Sequence, residues 1–106
     1  MNYRVVLTAR AERDRDAAFT WYAEHYSLEF ASRWYQGIWQ AVESLAQNPL
    51  RCGVAHENDK FSFDVHELLV GARRYKHRIL FTIQDDVIVV LHIRHSAQRD
   101  LTAEDL

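Results

Sequence analysis

Histidine and arginine residues near the end of the chain are the side chains best suited to acid–base chemistry. His77 and Arg78 are adjacent in one strand-like segment, and His92, Arg94 and His95 lie in the next. Cleavage of RNA through its 2′-hydroxyl needs a general base, a general acid and cations for the phosphate. The histidines could transfer protons and the arginines could stabilise charge. The alternative is that these are structural histidines, since residue types without geometry do not define an active site.

A metal site is not expected from these histidines. His92 and His95 are three residues apart, a spacing that brings two ligands together on a helix but turns them apart on a strand. Cys52 is the only cysteine, which excludes zinc sites built from several cysteines of the chain. The sequence also lacks the glycine-rich phosphate-binding motifs and the nucleophile elbow. We therefore expect no metal and no cofactor.

Positive charge is concentrated in the second half of the chain, although the net charge of the whole is −2. Residues 66–99 contain six basic residues against three acidic ones. The basic residues are Arg73, Arg74, Lys76, Arg78, Arg94 and Arg99. A surface of this kind can contact an acidic protein or a nucleic acid, but it can equally be a solvated face.

Hydrophobic periodicity predicts six elements and one long loop. Strands are predicted at 3–8, 66–70, 73–83 and 87–95, helices at 9–25 and 28–47, and a polar loop at 50–65. Asp85 and Asp86 are predicted to form the turn of a hairpin, and His56 and Glu57 to be solvated. The order β-α-α-β-β-β predicts one α+β domain over residues 1–106, with a helical hairpin on one face of a small, mainly antiparallel sheet. The other face, carrying Lys76 and Arg78, is expected to be open and basic.

The second predicted helix has a wide apolar stripe. Its centre is Phe30, Trp34, Ile38, Val42 and Leu45. Tyr35 and Trp39 make it wider than packing on one surface requires. Either this helix packs on both the first helix and the sheet, or Tyr35 and Trp39 form an apolar surface for a partner.

Composition indicates what size of core the chain can form and in which compartment it is expected. A chain of 106 residues that is 48% hydrophobic is long enough for one core. The amino-terminal segment does not have the pattern of a signal peptide, and no apolar run approaches the length of a membrane span. A single cysteine is typical of a reducing compartment. We expect a cytoplasmic protein without a membrane partner.

Four segments resemble one family in their order and spacing. They are LTARAERDRDAAFTWYAE (7–24), ESLAQNPLRCG (43–53), HELLVGARRYKHRILFTI (66–83) and VVLHIRHSAQRDL (89–101). Together they resemble the RelE/ParE superfamily of bacterial type II toxins, and within it the ParE branch. The resemblance implies the β-α-α-β-β-β fold and growth arrest that is neutralised by a small antitoxin with a DNA-binding amino-terminal part, in a hetero-oligomer. RelE-type members cut mRNA on the ribosome, whereas ParE-type members poison DNA gyrase.

Residues that match the family separate its two activities. Arg78 corresponds to a phosphate-binding arginine of the RelE-type ribonucleases. The lysines expected upstream are replaced by Leu68-Leu69-Val70-Gly71, the tail LTAEDL lacks the catalytic tyrosine, and no glutamate stands just before Arg78. The resemblance therefore favours an inhibitor of DNA gyrase. The alternatives are a ribosome-dependent endoribonuclease that uses Arg78, His92 and His95, or an inactive homologue that only binds antitoxin.

The basic residues acquire a role through this resemblance. We predict that Arg73, Arg74, Lys76, Arg78, Arg94 and Arg99 form the surface that engages the target or an acidic antitoxin segment. For Arg94 an alternative is open, because its guanidinium could instead hold the carboxy-terminal segment in place.

Overall fold

The computed structural model describes residues 2–71, 76–99 and 101–105. Its strands are β1 (Arg4–Leu7), β2 (His66–Val70), β3 (His77–Gln84) and β4 (Val87–His95). Its helices are α1 (Ala9–His25) and α2 (Leu28–Ser44), and single 3₁₀ turns occur at Pro49–Arg51, Asn58–Lys60 and Ala103–Asp105. The predicted order β-α-α-β-β-β is confirmed. Positions 73–75 of the predicted third strand lie outside the described residues.

Side-chain caps define where both long helices begin. The Thr8 hydroxyl accepts a hydrogen bond from the Ala11 amide, and the Ser27 hydroxyl accepts one from the Phe30 amide, each at 3.0 Å. These caps satisfy amides that have no partner within the helix. Helix α2 ends at Ser44, three residues before its predicted end at 47. After Ser44 the backbone hydrogen bonds span three residues, as in a 3₁₀ helix, and the Leu45 amide donates to the Val42 carbonyl. Pro49 then excludes further helix.

The four strands form one sheet in the order β1-β4-β3-β2. Strand β1 is parallel to β4, and the other two pairs are antiparallel, so the sheet is mixed but mainly antiparallel, as predicted. The two helices pack on one face. There Ile38 and Val42 of α2 join Ile79 and Phe81 of β3 in the main core. Burial of such side chains is the principal force that holds the helices on the sheet.

The second face of the sheet is covered, so the prediction of an open basic face is wrong. Ala55 and Val65 of the long loop, together with Leu101 of the carboxy-terminal segment, pack on Leu80 in a second core cluster. A bulge contributes to this apolar surface. Leu80 pairs with His92 and Phe81 with Val90, which leaves Leu91 as an extra residue on β4, and its side chain joins the same cluster.

The β3–β4 hairpin closes through a two-residue turn at Asp85 and Asp86, as predicted, since Gln84 pairs with Val87. Asp85 has a φ of 55°. This left-handed conformation is strained for a residue with a Cβ atom, although aspartate tolerates it better than most.

Candidate functional site

Arg78 is buried between two carboxylates on the covered face of the sheet. Its Nη1 and Nη2 atoms lie 2.9 and 2.5 Å from the two carboxylate oxygens of Glu57. Its Nε atom also donates to Glu67. The side chain of Arg78 is 6% exposed and that of Glu57 is 0% exposed. Arg78 therefore does not lie on the surface, and this part of the predicted basic surface is wrong.

Glu57 is the main counter-charge of Arg78 and not the solvated loop residue that the sequence predicts. Burial opposes ionisation of Glu57, but its bonds with the Arg78 guanidinium and with the Leu101 amide outweigh that effect and lower its pKa to about 2. The same pairing raises the pKa of Arg78 above its ordinary value. The Leu101 amide donates to Glu57 at 2.9 Å. One carboxylate thus ties the long loop to both β3 and the carboxy-terminal segment.

Arg94 is also buried, with an exposed fraction of 4%, and its predicted place on the surface is likewise wrong. Its Nη2 atom donates to the carbonyl of Arg99 at 2.8 Å, while Nε is buried without a hydrogen bond among the described residues. Burial, and next the charge of Arg99, lower the pKa of Arg94. Of the two roles that the sequence left open, this contact is that of an anchor for the carboxy-terminal segment.

The other members of the basic set differ in exposure. The side chain of Arg99 is 64% exposed and contacts the Asp105 carboxylate through both terminal nitrogens at 2.9 Å. This pairing, followed by the Thr102 amide, holds the pKa of Asp105 well below its ordinary value. Lys76 is half-buried. Arg73 and Arg74 lie outside the described residues.

The histidines of the ribonuclease hypothesis do not converge. His92 is on the covered face, where Nε2 lies 2.9 Å from the Asp105 carbonyl and Nδ1 lies 3.4 Å from an Asp14 carboxylate oxygen. His95 is on the helix side, in edge-to-face contact with His77 at a centroid distance of 5.2 Å. Arg78 and His92 therefore share one face of the sheet, and His95 lies on the other. This arrangement does not bring the three predicted catalytic residues to one phosphate.

Asp14 is a site residue that sequence reasoning missed. It lies on α1, yet its carboxylate accepts a hydrogen bond from the Ile93 amide of β4 at 3.1 Å and another from Arg10 at 3.0 Å. Burial raises the pKa of Asp14, but the nearby His92 ring and the hydrogen bonds from Ile93 and Arg10 outweigh burial and lower the pKa overall. Strand β1 pairs with β4 only as far as Val90. Asp14 thus satisfies the edge of β4 beyond that point.

A cleft of about 510 Å³ lies between α1 and the end of β4. We call it the α1–β4 cleft. Its lining residues are Asp14, Ala17, Ala18, Trp21, Tyr22, Tyr26, His77, Ile93, His95 and Gln98. Trp21 and Tyr22 of α1 and Tyr26, the residue directly after it, supply large aromatic side chains, and the polar side chains come mainly from the sheet and the turn after β4.

The wide apolar stripe of α2 packs on both the sheet and α1, and one of its aromatic rings, that of Trp39, is exposed to solvent. Trp34 faces the sheet, where its indole N–H donates to Nδ1 of His77 at 3.3 Å. Tyr35 faces α1, with its ring edge-to-face on Phe19 at 5.8 Å and the Arg15 guanidinium at 5.3 Å from its centre. Trp39 is 51% exposed. A role for Tyr35 and Trp39 in binding a partner remains a prediction.

The described residues contain neither a metal-binding cluster nor a membrane-spanning helix. Within residues 2–71, 76–99 and 101–105, no three histidine, cysteine or acidic side chains are grouped so that they could hold a metal ion. No helix of the same ranges has both the length and the apolar character needed to cross a bilayer.

Comparison with known proteins agrees with this architecture. No curated protein matches the chain in sequence. The fold is similar to that of a chain in the chromosomal ParDE toxin–antitoxin system from P. aeruginosa, with a TM-score of 0.70 and 22% identity over 88% of this chain and 95% of that one. It is also similar to a chain in the toxin–antitoxin complex RelBE2 from Mycobacterium tuberculosis, with a TM-score of 0.59 and 22% identity over 90% and 99% of the two chains. At this level of identity the two structures support the fold alone.

The family itself is shown by sequence. Residues 5–100 match the family model described as the ParE toxin of the type II toxin–antitoxin system parDE. This match spans nearly the whole chain and confirms the resemblance that the four sequence segments indicated. The chain therefore belongs to the ParE family of type II toxins.

Proposed function

We propose that this toxin inhibits DNA gyrase by binding it, without chemistry of its own. The family match supports this target, because ParE-type members poison gyrase. The burial of Arg78 between Glu57 and Glu67 carries the choice against RNA cleavage. A guanidinium already paired with two carboxylates has little capacity left for a phosphate, and freeing it would leave buried charges unpaired.

The ribonuclease alternative is weakened by a second observation. His92 bonds to the Asp105 carbonyl on one face of the sheet, and His95 contacts His77 on the other. A general acid and a general base must both lie within hydrogen-bond reach of the reacting atoms. These two histidines would therefore need a rearranged strand to act together.

An antitoxin is the second partner that we propose. The similar solved structures are toxin–antitoxin assemblies, and the family description names such a system. We infer that this chain binds a small cognate antitoxin with a DNA-binding amino-terminal part, that the pair forms a hetero-oligomer, and that this binding blocks the toxin. Since gyrase acts on chromosomal DNA, the place of action is the cytoplasm.

Supercoiling by purified gyrase tests the proposal. The toxin should inhibit supercoiling in a dose-dependent way and trap broken DNA, and the antitoxin should reverse both effects. Translating ribosomes with mRNA form the parallel assay. Cleaved mRNA together with unaffected supercoiling would replace the gyrase proposal with the ribonuclease one. Antitoxin binding without either effect would identify an inactive homologue.

A further inference from the structure

We propose that the α1–β4 cleft holds one uncharged aromatic side chain of the antitoxin, with an acidic residue of the antitoxin beside it at Arg13. The proposal rests on the proposed function for its partner, and on the cleft for its chemistry. A volume of about 510 Å³ falls within the range of specific binding sites. It is ample for one large side chain together with the backbone that carries it.

The α1 wall of the cleft is aromatic and already ordered. Tyr22 is 4% exposed, whereas Trp21 and Tyr26 at the rim are 48% and 50% exposed. Trp21 packs edge-to-face on both tyrosines, at 5.5 and 5.8 Å, and is stacked on His25 at 4.1 Å. These contacts hold half-exposed rings in place at little further entropic cost on binding. Such rings favour another aromatic ring and are typical of the residues that dominate protein interfaces.

Among the described residues that line the cleft, the charged side chain is Asp14, and its carboxylate is paired with Arg10. Nδ1 of His77 accepts the Trp34 indole N–H, and Nδ1 of His95 accepts the Ala97 amide at 3.0 Å. Both Nδ1 atoms are therefore already engaged as hydrogen-bond acceptors. The Asp14 carboxylate is already bonded to Arg10 and to the Ile93 amide. A charged side chain would find no unpaired counter-charge among the described lining residues, so an uncharged anchor fits.

The mouth of the cleft provides space and polar contacts for a polypeptide. Ala17 and Ala18 line it with small side chains. The side-chain carbonyl oxygen of Gln98 accepts a hydrogen bond from the backbone amide of His95 at 2.7 Å. The side-chain amide nitrogen of Gln98 can then donate to a carbonyl or phenol oxygen of the partner. Arg13 is exposed on α1 one turn before Ala17. Its charge complements an acidic neighbour of the anchor.

The half-open aromatic rim favours a side chain presented by a protein over a free small molecule. A small-molecule site usually encloses most of its ligand, whereas Trp21 and Tyr26 retain half of their exposure. A polypeptide that lies across the mouth would cover these rings as its anchor enters.

The cleft can be tested without the antitoxin by NMR titration with N-acetyl-tyrosinamide. We expect saturable shifts of the Ala17, Ala18, Ile93 and Gln98 amides, and at least tenfold weaker binding of N-acetyl-lysinamide. Ala17→Trp should fill the mouth and abolish the shifts, whereas Glu43→Trp, at an exposed position of α2 outside the cleft, should keep them. Absence of saturable shifts, or shifts that survive Ala17→Trp, would overturn the proposal.

Calorimetry with the cognate antitoxin then separates the two proposals. Ala17→Trp should weaken antitoxin binding at least tenfold, Arg13→Glu by a smaller, salt-dependent factor, and Glu43→Trp not at all. Wild-type affinity in Ala17→Trp would refute the cleft while leaving the gyrase proposal intact. A toxin that leaves gyrase unaffected would refute the gyrase proposal, and the tyrosinamide titration would still decide the cleft.

Discussion

Glu57 and Arg78 are 21 residues apart in the chain, and their side chains form a buried two-point ion pair. Glu57 comes from the long loop and Arg78 from β3. The same carboxylate accepts the Leu101 amide of the carboxy-terminal segment. The Glu57 carboxylate thereby joins the long loop, β3 and the carboxy-terminal segment at one buried point. This contact determines how the loop and the carboxy-terminal segment cover the second face of the sheet.

Removal of the Glu57 charge should strongly destabilise the fold. Glu57→Gln leaves the Arg78 guanidinium buried with only Glu67 as a counter-charge, and breaking one partner of a buried pair typically costs about 3–5 kcal/mol. Urea denaturation should give a correspondingly lower free energy of unfolding. The exposed Glu24 supplies the matched control, since Glu24→Gln should change stability by no more than about 0.5 kcal/mol. Equal effects of the two substitutions would show that the pair contributes little.

The protein should become less stable as the pH is lowered, over a range set by the folded and unfolded pKa values of Glu57. Its pKa is about 2 in the folded protein against an ordinary value of 4.5, so the unfolded chain binds a proton that the folded chain does not as pH falls below 4.5. The stabilisation is fully present above about pH 5 and is lost towards pH 2. It amounts to something on the order of 3 kcal/mol.

Glu57→Gln provides the control for this pH dependence. Unfolding free energies measured from pH 7 to pH 2 should decline less steeply in the variant than in the wild type. The lowered pKa of Asp14 acts in the same direction, so some slope should remain. Identical slopes in the two proteins would show that Glu57 titrates normally.

Local sequence patterns were sufficient to predict the elements of this fold. The caps at Thr8 and Ser27, the stripe along α2 and the apolar run of β4 are signals contained within single segments. Contacts between distant segments were not predictable in the same way. Glu57 is in a loop without periodicity, so no local pattern indicates that it lies opposite Arg78. For this reason the face of the sheet that carries Arg78 is predicted to be open, whereas in the structure the long loop and the carboxy-terminal segment cover it.

Two residues carried signals that could have revealed more. Asp14 stands at helical spacing from the apolar residues Ala11 and Ala18, and an acid at such a position needs a buried partner, which is the Ile93 amide at the β4 edge. Leu101 is the first residue of the polar tail LTAEDL and is 0% exposed. Its apolar side chain, next to polar residues, is a sequence feature that indicates docking of the tail. The convergence of aromatic rings with His77 and His95 at one cleft depends on helix packing, which no local pattern specifies.

Asp85→Gly should stabilise the protein. Asp85 has a φ of 55°, which glycine adopts without the steric cost of a Cβ atom, and two-residue hairpins favour glycine at a first turn position with positive φ. We expect a gain of about 0.5–1 kcal/mol, measured by thermal and urea denaturation. Asp86→Gly is the control. Asp86 is not among the described residues with positive φ, so glycine there should add only backbone freedom and leave stability unchanged or lower it.

Asp105→Asn should loosen the carboxy-terminal segment more than it affects the whole fold. The Asp105 carboxylate bonds to both terminal nitrogens of Arg99 and to the Thr102 amide at 2.7 Å, so it closes this segment on itself. The substitution removes the charge while Leu101 stays buried against the sheet. Hydrogen exchange should accelerate at the Leu101 and Thr102 amides and remain unchanged in β3. Glu104→Gln, at an exposed neighbour, should leave all of these rates unaltered, and equal acceleration in both variants would show that Asp105 has no special role.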